Sequence, residues 1–184
     1  MALAKRVLAY VKATINYRLH YSRGSGKSDA ILTGWVDSDY ANLDDRKSTT
    51  GLCFFVRNTL VYWCSKRQVT IATSTTVAEY FALYEATTEC VCLRNLMADI
   101  GLPQTGPTPI REDNQTAIKL AEDKTSHKRT KHIAVKYHYS KEQQDLGITS
   151  ISYVSTEDNI ADFFTKPQNR VQHQQMCKRL GLSA

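Results

Sequence analysis

Gly34-Trp35-Val36-Asp37-Ser38-Asp39-Tyr40-Ala41 places two acids at the end of an apolar run that begins at Ile31 and Leu32. The run reads as a strand. Alternate residues of a strand share a face, so Asp37 and Asp39 point the same way. Carboxylates taken out of water are costly unless paired or metal-bound. A strand ending in two of them is therefore either a solvated turn at its exit or part of a site that compensates them.

Downstream lie a polar turn over 42–50 and two more strands, 51–56 and 60–63, joined at Arg57-Asn58-Thr59. Three consecutive strands with short connections form an antiparallel meander. A short apolar piece, 69–72, leads into a long helix from about Thr75 to Ile100. Val77, Phe81, Tyr84, Thr88 and Val91 line one side of it, and Tyr80, Leu83, Cys90, Leu93 and Met97 another. A helix apolar on two sides packs centrally. Glu79 sits in its first turns beside Ala82 and Ala86, whose small side chains permit close approach to a sheet. An acid near a helix N-terminus also interacts favourably with the helix dipole, which is the structural alternative.

Gly101 and Pro103 end that helix. A strand over 110–112 then meets Asp113-Asn114, and residues 115–122 read as a helix with Ile118 and Leu120 inward. Asp113 thus stands where a strand passes into a helix, the usual position of functional side chains in an α/β sheet and also of a helix cap. Between 124 and 141 there are six basic residues (Lys124, Lys128, Arg129, Lys131, Lys136, Lys141), three histidines and no acid, in a stretch expected to be helical to about Leu146. Uncompensated basic charge interleaved with Tyr137 and Tyr139 favours a phosphate-binding surface over a merely solvated face. His127, His132 and His138 lack compact zinc spacing. The last strand, 149–154, runs into Ser155 and Asp158, which match a capping box. The following helix, 159–166, ends at Pro167 and puts Asp162 one turn beyond the cap.

At the N-terminus a helix over 2–13 and a strand over 15–21 precede the Gly/Ser-rich segment 22–28. That segment marks the best boundary, giving an appendage over 1–28, a domain over 29–167 and a polar tail over 168–184. Gly24, Gly26, Lys27 and Ser28 suggest a phosphate loop, but Tyr21 occupies the place of its first glycine. The 184 residues fit one ordinary domain, with 42% hydrophobic and 23% charged residues. There is no long apolar run and no secretion signal, so the expectation is an intracellular protein, cytoplasmic or nuclear, without a membrane role. Five cysteines, none spaced Cys-x-x-Cys, read as reduced core residues, and the net charge of +6 favours polyanionic partners.

The phrases Gly34-Trp35-Val36-Asp37-Ser38-Asp39-Tyr40-Ala41, Asp45-Arg46-Lys47-Ser48-Thr49-Thr50-Gly51, Ala78-Glu79-Tyr80-Phe81-Ala82-Leu83, Glu112-Asp113-Asn114-Gln115, Arg129-Thr130-Lys131-His132-Ile133 and Ala161-Asp162-Phe163-Phe164-Thr165-Lys166-Pro167 occur in one order. The chain resembles, over about residues 33–167, the ribonuclease H domain of copia-type retrotransposon polyproteins. The resemblance implies an α/β ribonuclease H-like fold: a five-stranded mixed sheet, three antiparallel strands then parallel strands, flanked by helices. It implies an endoribonuclease for the RNA strand of RNA–DNA hybrids, using two Mg2+ ions, with Mn2+ an alternative. Asp37 would bridge the ions, with Glu79 and Asp113 on one side and Asp162 on the other. Lys128, Arg129, Lys131, His132, Lys136 and Asn114 are the expected contacts to the hybrid. Residues 4–10 resemble the segment joining reverse transcriptase to this domain. Reverse transcriptase and integrase regions are therefore expected partners, and a virus-like particle a cytoplasmic setting. Lacking those regions, the chain is expected to be an excised domain, a decayed element or a domesticated gene. Two departures from the family stand out. Val77 replaces an acid common two positions before Glu79, and Ser155-Thr156-Glu157-Asp158 replaces a loop histidine of cellular ribonucleases H. The rival reading is a non-catalytic module of the same fold that binds nucleic acid or a reverse transcriptase.

Overall fold

The computed structural model describes residues 2–21, 31–41, 44–122 and 131–183, with the side chains at 2, 131–135 and 137 outside the description. The Gly/Ser segment 22–28 and the basic residues Lys124, Lys128 and Arg129 lie outside the described residues. Helix α1 (Ala2–Thr14) and the short β1 (Arg18–Leu19) precede the meander β2 (Leu32–Asp39), β3 (Thr49–Val56) and β4 (Thr59–Arg67). The long helix α2 (Thr75–Asp99) follows, then β5 (Thr108–Glu112), α3 (Gln115–Glu122), α4 (Lys131–Asp145) and β6 (Thr149–Tyr153). The main sheet has the order β4-β3-β2-β5-β6. The pairs β2/β3 and β3/β4 are antiparallel, whereas β2/β5 and β5/β6 are parallel. This is the five-stranded mixed sheet expected from the sequence.

Alternation along β2 divides the core. Leu32 and Val36 face α2, joining Leu52, Phe54, Tyr80, Leu83 and Ile110. Trp35 faces the other way, against Cys53, Phe55, Leu60, Ala161 and Leu180. Each such large side chain, fully buried, contributes about 1.5–3 kcal/mol. Gly34 is required by contact: a Cβ there would lie 2.5 Å from the Phe54 ring. Helix α2 begins at the Ser74 cap, whose side chain accepts from the Val77 N–H. It ends in a Schellman motif, with Gly101 at φ 78° and the Leu102 N–H donating to the Met97 carbonyl. All five cysteines are free thiols. Among the described residues no helix is long and apolar enough to cross a membrane.

Two stretches differ from the sequence reading. The helix expected over 159–166 is a 3-10 turn, Ile160–Phe164, and a first 3-10 turn, Thr156–Asp158, precedes it. The cause is Asn159, fully buried, whose Nδ2 donates to the Val36 carbonyl at 2.9 Å while its Oδ1 accepts from the Ala161 N–H. That amide pins the chain to the central strand and interrupts any continuous helix, while one half of the predicted capping box forms: the Ser155 hydroxyl accepts from the Asp158 N–H and donates to Asp158 Oδ2. The polar tail contains helix α5 (Arg170–Arg179) and β7 (Leu182–Ser183), and β7 pairs antiparallel with β1. Its few apolar residues suffice to anchor it, since Leu180 and Cys177 are buried.

Candidate active site

β2 delivers Asp37 to the rim of the sheet, and its partner across the antiparallel ladder is Gly51. A Cβ at Gly51 would lie 2.7 Å from both the Ala161 carbonyl oxygen and Thr165 Cγ2. The missing side chain lets the second 3-10 turn rest directly on β3 beside Asp37. Thr165, buried at the end of that turn, has its hydroxyl 2.7 Å from Asp37 Oδ2. Neither Asn159 nor Thr165 stood out in the sequence as a site residue, although both belong to the turn that carries Asp162.

Glu79 comes from the second turn of α2, beyond the reach of the helix-dipole explanation for an acid in the first turn. Asp113 follows β5. The cap of α3 is its neighbour: Asn114 Oδ1 accepts from the Thr116 and Ala117 N–H groups at 3.0 Å each. Asp113 is thereby released from capping. Asp37, Glu79 and Asp113 each offer a carboxylate oxygen, and these oxygens all lie within 4.8 Å of one another. Asp162, the fourth predicted acid, is held differently. Lys166 Nζ lies 2.5 Å from its Oδ1, and Gln168 Nε2 donates to its Oδ2 at 3.3 Å.

Burial dominates the electrostatics. Desolvation pushes the Asp37 carboxyl up to about 6, opposed by the Thr165 hydrogen bond and reinforced by the charges of Asp113 and Asp162. The same cause, with repulsion from Asp37 and Asp113, raises Glu79 to about 9. A further acid escaped sequence reasoning. Glu112 is fully buried, and desolvation and the nearby Glu79 hold its carboxyl well above the usual range. Its Oε1 accepts from the Asn114 N–H at 3.1 Å, whereas Oε2 has no partner. The signal was available: period-2 alternation with the buried Ile110 turns Glu112 toward α2.

Glu79 Oε2 is likewise buried without a hydrogen-bond partner. Three converging carboxylates, one with an orphaned buried oxygen, fit a hard divalent cation. Of the expected nucleic-acid contacts, Lys136 is half-buried, its ammonium 4.4 Å from the Phe81 ring centroid and 5.3 Å from that of Tyr84. The backbone of Lys131 and His132 opens α4, their side chains lie outside the description, and so do Lys128 and Arg129 altogether.

No family model matches the chain. It is 37% identical over 179 residues to the retrovirus-related Pol polyprotein from transposon TNT 1-94 of Nicotiana tabacum, covering 96% of the chain and 13% of that protein. To the Pol polyprotein from transposon RE1 of Arabidopsis thaliana it is 32% identical over 180 residues, covering 97% of the chain and 12% of that protein. The chain belongs to the retrotransposon Pol family. The chain spans about an eighth of the length of those relatives. Its fold is that of ribonuclease H: LC11-RNase H1, isolated from compost by a metagenomic approach, aligns with a TM-score of 0.55 at 14% identity, over 74% of this chain and 93% of that one. LC11-RNase H1 in complex with an RNA/DNA hybrid aligns with a TM-score of 0.51.

Proposed function

We propose that the chain is an endoribonuclease that hydrolyses the RNA strand of RNA–DNA hybrids during reverse transcription. The observation that carries this reading is the convergence of Asp37, Glu79 and Asp113 on the rim of the sheet. These three would hold a Mg2+ or Mn2+ ion, and Asp37 with Asp162 would hold a second. Bound there, the ions supply Lewis-acid polarisation of the scissile phosphate and a more acidic water. The residues themselves prepare the place. Thr165 donates to one oxygen of Asp37 and thereby orients the other. Burial and repulsion raise the Glu79 and Glu112 carboxyls together, so keeping both fully charged is unfavourable unless a cation offsets them. Asn114 spends its carbonyl on the α3 cap, which leaves its amide N–H groups to contact the hybrid beside Asp113.

In this reading residues 29–167 are the catalytic unit and 1–28 the link to the polymerase, while β1 and β7 tie the link to the tail. Lys128, Arg129, Lys131, His132 and Lys136 are the residues that would contact the hybrid's backbone, by shape and charge. The reverse transcriptase and integrase regions of the same polyprotein are its partners, in a virus-like particle or the nucleus. A second reading, a binding module without catalysis, is favoured by one observation: Asp162 is engaged by Lys166 and Gln168. Cleavage of a labelled hybrid in Mg2+ or Mn2+, beside single- and double-stranded RNA, separates the two. Cutting confined to the hybrid's RNA strand and lost in Asp37→Asn establishes the enzyme. Tight hybrid binding with no cutting in either metal would mean a binding module or a domain that cuts only when attached to its polymerase.

A further inference from the structure

Both oxygens of Asp162 are taken, and the groups that take them come from the short segment that follows it. Lys166 stands four residues on, at the close of the 3-10 turn, and is held by the fold even though its side chain is 46% exposed, because Thr165 before it is locked to Asp37. The Asp162 side chain is only 15% exposed, so the ammonium meets a carboxylate that water reaches poorly. Asp37 and Asp39 add to the negative field around the ammonium. An ordinary surface ion pair joins two residues with no other task and contributes little. Here one partner is the acid assigned to the second cation, and the other is a permanent positive charge in that cation's neighbourhood.

We propose that Lys166 is a built-in counter-ion for Asp162 that competes with the second divalent cation, so that the site fills in two steps: a first ion on Asp37, Glu79 and Asp113, then a weaker one that must displace the ammonium from Asp162. The inference rests on the divalent-cation reading of the site and adds a positioning residue that sets the affinity of its second half. Displacement is local. Lys166 is exposed enough to swing into solvent, and Gln168 retains Asp162 through its main-chain carbonyl at 3.3 Å while the side chain turns. When the ion leaves, the ammonium returns and keeps the emptied carboxylate from repelling Asp37. The segment thereby reconciles an engaged Asp162 with catalysis.

Mg2+ titration of the full chain tests this by calorimetry and by the carboxyl carbon resonances of its aspartates. In the wild type the Asp37 and Asp113 signals should move in a first, tighter phase and the Asp162 signal only in a second. Lys166→Met should tighten the second phase roughly threefold to tenfold and leave the first within about twofold, whereas Lys166→Arg should keep the wild-type profile. Lys166→Gln serves where the Met variant folds poorly, and the wild-type resonances need no variant. An Asp162 signal that moves with the first phase overturns the proposal. So does an equal shift of both phases in Lys166→Met, which would mark a diffuse charge effect, or an unchanged second phase. If the wild type shows no Mg2+ response at Asp37 or Asp113, the cation reading itself fails, and the counter-ion with it.

Discussion

Asp37, Glu79 and Asp113 converge, while Asp162 stands apart in the grip of Lys166, and the two halves of the site are built from different material. The converging acids ride on the central strand, the longest helix and the end of β5, elements whose positions are set by the core on both faces of the sheet. Asp37 and Glu79 are deprived of water, and with repulsion from their acidic neighbours they are pushed toward their neutral forms. Asp162 rides on a 3-10 turn held by side chains: Asn159 to Val36, Thr165 to Asp37, and an ion pair with its own neighbour. A rigid scaffold can hold like charges together against their repulsion. A turn held by a few polar contacts instead pairs its charge within itself.

The comparison breaks most visibly at the acids. Asp37→Asn should lower hybrid cleavage about a thousandfold or more, because in the proposed site Asp37 would serve both halves. Next in size is Gly51→Ala. The new methyl meets a carbonyl oxygen and a packed threonine at 2.7 Å, so the turn must shift, at about 1–3 kcal/mol in urea unfolding. The damage should be one-sided: Mg2+ binding by the three converging acids persists while cleavage falls. A loss of all Mg2+ binding would show that the two halves form one rigid unit.

The scaffold half was the legible one. The strand and the long helix follow from hydrophobic periodicity, and the acids at element ends were visible, whereas the mixed sheet and the gathering of Asp37, Glu79 and Asp113 were expected from the resemblance to ribonuclease H domains. The turn half was not, because its conformation depends on Asn159 finding the Val36 carbonyl 123 residues away, a contact that no local pattern encodes. Glu112 was overlooked for another reason. Its neighbour Asp113 already accounted for an acid at that place, although alternation along β5 turned Glu112 inward.

Glu112 also sharpens the comparison through pH. Asp37 and Glu79 have folded-state values raised above their ordinary 3.8 and 4.5, so the unfolded chain loses those protons first. Between about pH 4 and the raised values the folded chain holds more protons, and stability falls as pH rises through that window. Metal-free protein should therefore melt at lower temperature at pH 8 than at pH 5. Mg2+ should restore the loss, since it takes the protons' place. Glu112→Gln removes one buried acid from the pocket and should flatten the fall while leaving Asp162 and Lys166 untouched. An unchanged pH profile in that variant would mean that Glu112 stays neutral without influencing Glu79.

The smallest effect expected is at Asn114, where the two tasks beside Asp113 separate. Asn114→Ala deletes the acceptor for the Thr116 and Ala117 N–H groups and should cost about 1 kcal/mol. Asn114→Asp keeps the acceptor and should restore that stability, but it sets a second carboxylate next to Asp113 and removes the amide donors. If Asn114 only caps α3, the Asp variant should cleave the hybrid as well as the wild type does. If its amide also meets the hybrid, the Asp variant should be stable yet bind the hybrid more weakly, a split between melting temperature and KM that capping alone does not produce.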